Sequence, residues 1–148
     1  MPTLAIRRFL GLMLAAGLLC PAALRAENEE SWTDKDLKSP ATLAAAIQDA
    51  KAPKPVIFNI GPVEQIKGAI RIGVTSDPKN LEALRQQLGK LPKNQEVVIY
   101  CGCCPFRRCP NVRPAFQLLR ELKFTNAKLL NLPTSLNADW ISKGYPLE

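Results

Sequence analysis

The chain has 148 residues, with 20 lysines and arginines against 13 acidic residues, a net charge of +7 and no histidine. That length suits one domain with a real core, and the missing histidine excludes a Cys-His nucleophile pair, a histidine metal ligand and haem attachment through Cys-x-x-Cys-His. The basic residues are scattered and not interleaved with aromatics, so nucleic acid is not an expected partner.

Residues 1–26 carry Arg7 and Arg8, an apolar stretch over positions 9–24 and the small residue Ala26, after which Glu27, Glu29 and Glu30 turn the chain acidic. This is the pattern of a secretory signal peptide. Its apolar stretch contains Gly11, Gly17 and Pro21 and is shorter than the roughly 20 residues that span a bilayer. With cleavage after Ala26 the protein is expected in the periplasm or otherwise secreted, without stable membrane insertion, and Cys20 leaves with the signal. Removal of Arg7, Arg8 and Arg25 lowers the charge from +7 to +4, a mildly cationic balance that suits small anionic ligands.

Residues 27–38 form a polar segment in which Trp32 is the one aromatic residue, expected to anchor by packing. The main domain is expected over 39–148. Ser39 offers an N-cap and Pro40 a first helical position, with Leu43, Ala46, Ile47 and Ala50 at helical spacing. After Pro53 and Pro55, the apolar run at 56–60 predicts a strand buried on both faces, and a second strand is expected at 69–74. Asp77 and Pro78 open a helix with Leu81, Leu84 and Leu88 on its apolar face, ended by residues 89–94. A strand at 97–100 follows, then a cysteine-rich loop, a helix at 112–123 and a strand at 127–132. Asn111 is placed to cap that last helix, and Val112, Phe116, Leu119 and Leu122 form its buried face. Trp140 and Tyr145, with Ile141 and Leu147, are expected to fasten the C-terminal segment, and Asp139 to cap the short turn holding Trp140. Strands alternating with helices predict an open, mostly parallel α/β sheet with helices on both faces.

Four cysteines, Cys101, Cys103, Cys104 and Cys109, fall in the run CGCCPFRRCP. Ligands of such sheets sit beyond the carboxyl ends of strands, and the loop lies there, ahead of a helix N-terminus whose unpaired N–H groups and dipole favour a thiolate. Cys101, its first residue, is the best-placed nucleophile. Three uses of the thiols stay open. Cys101 and Cys104 form a Cys-x-x-Cys pair suited to thiol–disulfide exchange, with Cys103 as a competing or resolving thiol. Cys109 can pair with Cys103 or Cys104 to stiffen the loop. Soft copper(I) accepts two or three of these thiolates, whereas three cysteines packed into four residues do not suit a closed four-cysteine zinc site.

The strand ending Val97-Val98-Ile99-Tyr100-Cys101, the run Gln65-Ile66-Lys67-Gly68-Ala69-Ile70, the helix end at 118–124 and the Trp140, Gly144 and Pro146 pattern occur in an order that resembles the rhodanese-like family. The loop is about five residues longer than a common family pattern, Asn59 and Gly61 stand where members often carry aspartate and arginine, and Gln65 replaces a histidine. Cys101 followed six positions later by Arg107 is also similar to the cysteine-x5-arginine signature of rhodanese-fold phosphatases. The resemblance implies a rhodanese-like open parallel sheet and a sulfurtransferase that carries sulfane sulfur as a Cys101 persulfide. Its partners would be a small sulfur donor, thiosulfate or a persulfide, and a thiol acceptor; no metal or other cofactor is implied, and the sequence names no protein partner. Arg107 would stabilise the charged outer sulfur, and Gly102, Arg108 and Arg113 would help to bind the substrate.

Overall fold

Val97-Val98-Ile99-Tyr100 has no charged position because both sides of this strand are covered. It is the middle strand of the sheet. The computed structural model describes residues 32–148; the expected signal peptide and the first part of the 27–38 segment lie outside the described residues. In chain order the elements are β1 (Leu37–Lys38), α1 (Pro40–Gln48), β2 (Val56–Asn59), β3 (Ala69–Arg71), α2 (Pro78–Leu88), β4 (Val97–Tyr100), α3 (Val112–Glu121), β5 (Ala127–Leu130) and α4 (Leu136–Asp139). The five strands are all parallel, in the order β1-β5-β4-β2-β3. The α/β fold read from the alternating pattern is the observed one.

Alternate strand residues divide the core in two, as the period of a strand requires. Phe58, Val97, Ile99 and Leu129 meet Leu84 and Leu88 of α2 and Val112, Ala115, Phe116 and Leu119 of α3. On the opposite face Ile57, Val98, Tyr100 and Leu130 meet Leu43 and Ala44 of α1, Leu136 of α4 and Trp140. Continuous apolar strands are therefore buried on both sides, as parallel sheets with helical crossovers demand.

The elements differ from expectation mainly at their ends. α1 stops at Gln48, so Ala50 lies outside it and is exposed, and Ala44 takes its place in the buried stripe. β3 stops at Arg71 because the N–H groups of Ile72 and Gly73 both turn to the Asn59 carbonyl, at 2.9 and 3.3 Å. α3 stops at Glu121, two residues short of expectation, where Lys123 adopts a left-handed φ of 61°. Asp77 caps α2, accepting the Lys79 N–H at 2.9 Å, with Pro78 behind it.

The described part of the polar entry segment, residues 32–38, packs onto the domain. Asp36 Oδ2 accepts the Thr33 N–H at 3.0 Å and hydroxyl at 2.7 Å, and Leu37–Lys38 adds the outer strand beside β5. Lys38 Nζ reaches Glu96 at 2.7 Å. Trp32 is buried, as expected of an anchor, and meets Phe116 edge-on at 4.8 Å and Phe106 at 6.5 Å. At the other terminus Trp140 is fully buried, donates Nε1–H to the Pro146 carbonyl at 3.2 Å and meets Tyr145 edge-on at 5.2 Å. Asp139 holds the preceding turn by accepting the N–H groups of Thr134 and Ser135, at 2.7 and 3.0 Å. Among the described residues no helix is long and apolar enough to cross a membrane.

Candidate active site: a cluster of thiols

Cys101 follows β4 directly, at the carboxyl end of the sheet. Its backbone continues the sheet: the Tyr100 carbonyl accepts the Ile60 N–H at 2.9 Å. Beside it, buried Asn59 folds the end of β2 back, taking the Gly61 N–H on Oδ1 at 3.0 Å and donating Nδ2–H to the Val63 carbonyl at 3.1 Å. Gly61 is thereby laid against Cys101. A Cβ at Gly61 would stand 2.5 Å from the Cys101 sulfur and 2.8 Å from its carbonyl oxygen, so glycine is required for this approach.

Gly102 turns the chain with a left-handed φ of 75°. Its carbonyl accepts the Leu136 N–H at 2.8 Å, and the Phe106 N–H donates to the Leu132 carbonyl at 3.2 Å. The loop is thus pinned to the connection between β5 and α4. Phe106 buries its ring beside Trp32. A long loop is held in place here by an aromatic anchor and by backbone partners.

Three sulfurs converge behind that turn. Those of Cys101, Cys103 and Cys109 all lie within 4.8 Å of one another; Cys101 and Cys103 are 3.2 Å apart, and Cys104 approaches Cys103 at 3.6 Å. All four are free thiols. Cys101 and Cys109 are buried, whereas Cys103 is exposed. The Cys-x-x-Cys spacing read from the sequence pairs Cys101 with Cys104, but it is the Cys103 sulfur that stands 3.2 Å from that of Cys101.

Asn111 was expected to cap α3, but its side chain makes no cap bond. Instead Nδ2–H donates to the Cys101 sulfur at 3.3 Å and Oδ1 accepts the Ser76 N–H at 3.1 Å, while the Asn111 carbonyl accepts the Thr75 hydroxyl at 2.6 Å. The residue is 4% exposed, so each of these bonds stands in for water that the buried amide has lost. Asparagine before a helix carries a capping signal in sequence, and nothing local reveals that its amide turns inward. Gly61 had a readable signal, an isolated glycine at a strand end.

These contacts decide which thiol ionises. The hydrogen bond from the Cys109 thiol is the largest influence on Cys101; burial opposes ionisation, and Asn111 and the N–H and thiol of Cys103 add further donors, lowering its pKa from 9.0 to about 5. Burial, then the bonds to Cys101 and Cys104, raise Cys103 to about 12. Cys109 is also raised, first by its bond to Cys101 and then by burial. One thiolate is therefore favoured, and it sits on Cys101, against the side chain of Asn111, the residue that precedes α3.

The arginines lie outside this cluster. Arg107 and Arg108 are exposed on a 3-10 turn at Phe106–Arg108, with the Arg107 guanidinium 5.1 Å from the centre of the Phe106 ring. Together with Pro105, Phe106 and Pro133 they line a pocket of about 350 Å³. Arg113 is half-buried in the first turn of α3. No family model matches the chain, and no curated protein matches it in sequence.

Proposed function

We propose that this is a periplasmic rhodanese-like sulfurtransferase in which Cys101 carries sulfane sulfur. The observation that carries the reading is the convergence of Cys109, Asn111 and Cys103 donors on the Cys101 sulfur, which holds it as a thiolate in a buried setting. A thiolate so prepared attacks without a general base. With thiosulfate as donor, Cys101 forms a bond to the outer sulfur, the sulfur–sulfur bond of thiosulfate breaks, and sulfite leaves with the electron pair. The Cys101 persulfide is then attacked at its outer sulfur by an acceptor thiolate, and Cys101 departs as thiolate. Negative charge on the outer sulfur is stabilised by the same donors, an arrangement fixed before reaction. Arg107 and Arg108 draw the anionic donor to the loop, and Arg113 supports it from the helix.

Steady-state transfer of sulfur from thiosulfate to a small thiol, followed as sulfite release, tests this. Cys101→Ser is expected to remove transfer entirely, while Arg107→Ala raises KM with a smaller effect on kcat. Full activity in the serine variant is incompatible with the proposal.

A second reading is favoured by one distance, the 3.2 Å between the Cys101 and Cys103 sulfurs. A disulfide between them would make the protein a thiol–disulfide redox partner, or would protect the nucleophile. Mild oxidation followed by peptide mapping distinguishes it. A Cys101–Cys103 cross-link that forms faster than persulfide loading supports redox chemistry; four alkylatable loop thiols after the same treatment rule it out.

A further inference from the structure

The sulfur cluster has more members than form covalent bonds in either reading. A persulfide forms on Cys101 alone, with Cys109 only a hydrogen-bond donor to it, and a disulfide joins two of the three sulfurs, yet all three face one another and Cys109 is buried with Cys101. We propose that Cys101, Cys103 and Cys109 form a trigonal site for a single copper(I) ion. The proposal does not depend on sulfur transfer.

The donor set selects the metal. Thiolates are soft ligands that favour copper(I), and the chain offers no imidazole. Among the described residues, the grouping that can hold a metal ion consists of these three cysteines alone, with no carboxylate in it. Structural zinc is held by four ligands in a tetrahedron, and the fourth loop sulfur, Cys104, is outside the mutual trio. Three metal–sulfur bonds of about 2.3 Å in a plane set the sulfurs about 4 Å apart. The 3.2 Å between Cys101 and Cys103 and the 4.8 Å limit for the trio bracket that spacing. Closing the site requires Cys103 to move outward by a fraction of its side-chain reach, and Cys103 is the exposed member.

The surroundings also fit. Gly61 packs against Cys101 and closes one side of it, and Asn111 Nδ2–H bonds the Cys101 sulfur at 3.3 Å, the kind of outer contact that orients a metal ligand. The exposed Cys103 gives an entry by ligand exchange: it takes the ion first and passes it to the buried pair. Three thiolates and one copper(I) leave a net negative charge, which the N-terminal end of α3 offsets.

The experiment is anaerobic titration of the fully reduced protein with copper(I) against a chromogenic copper(I) chelator, in a Cys20→Ser background so that only the loop thiols remain. One ion per chain is expected. Cys101→Ser, Cys103→Ser and Cys109→Ser should each weaken binding at least tenfold, while Cys104→Ser changes it less than threefold. X-ray absorption of the loaded, unmutated loop should give three sulfur neighbours at about 2.3 Å, a readout that holds even if Cys109→Ser fails to fold. Two-coordinate copper, binding unchanged in Cys109→Ser, or an equal loss in Cys104→Ser overturns the trigonal site. So does failure to compete with the chelator.

Discussion

Cys101 differs from an ordinary cysteine only through its neighbours, and that difference is measurable. Because its pKa is lowered to about 5, it is a thiolate throughout the neutral range, and its alkylation rate should be flat from about pH 6 to 8. An unperturbed thiol instead gains reactivity across that range as it approaches its pKa near 8.5. Rapid iodoacetamide modification, with peptide mass spectrometry to assign the site, checks this; a tenfold rise per pH unit up to pH 8 would contradict it. Asn111 is a positioning residue in the same account. Removing its N–H donor destabilises the charged form, so Asn111→Ala should raise the Cys101 pKa. A hydrogen bond to a charged group contributes about 1.5–3 kcal/mol, which corresponds to a rise of about 1–2 units. The alkylation profile of the variant should move to higher pH by that amount, a change that loosened packing alone does not produce.

At the scale of elements, the site is the meeting of two strand ends, one loop and one helix start. The end of β2 is as necessary as the cysteine loop, because Asn59 folds Gly61 against Cys101. Gly61→Ala places a methyl within 2.5 Å of the sulfur and 2.8 Å of backbone oxygen, and backbone cannot yield as a flexible side-chain tip does. Overpacking of this kind costs about 1–3 kcal/mol, so the variant is expected to fold and to lose most Cys101 reactivity. Urea unfolding beside the alkylation rate separates the two effects. Wild-type reactivity in Gly61→Ala would mean that the close approach has no part in preparing the thiolate. The sequence revealed one side of this junction better than the other. A strand followed by four cysteines and a helix could be read directly, and so could the place of Cys101 at the carboxyl end of that strand. The inward turn of Asn111 was not, since it depends on Thr75 and Ser76, more than thirty residues away. Nor was the spatial order of the sulfurs: Cys104 has the familiar spacing, but the left-handed turn at Gly102 brings Cys103 to Cys101.

For the whole molecule, alternation of apolar runs and amphipathic helices sufficed to give a parallel sheet covered on both sides. β1 escaped notice because two residues are too few for a period, and Lys38 within it looks like surface until Glu96 is placed beside it. The ends of the chain domain are secured by two tryptophans on opposite faces, Trp32 with α3 and Trp140 with α1 and α4. Trp140 is fully buried and also spends its N–H on Pro146. Trp140→Ala is therefore expected to cost about 3–5 kcal/mol, seen as a lower urea midpoint, and a loss below 1 kcal/mol would show that the C-terminal segment is held by other contacts.

Intact mass reads sulfur loading of Cys101 itself. The reduced protein is incubated anaerobically with thiosulfate or a small persulfide, beside Cys101→Ser. A gain of about 32 Da, one sulfur, on the unmutated chain alone and reversed by a thiol reductant is the predicted result. An equal gain on Cys101→Ser, or no gain from either donor, contradicts it.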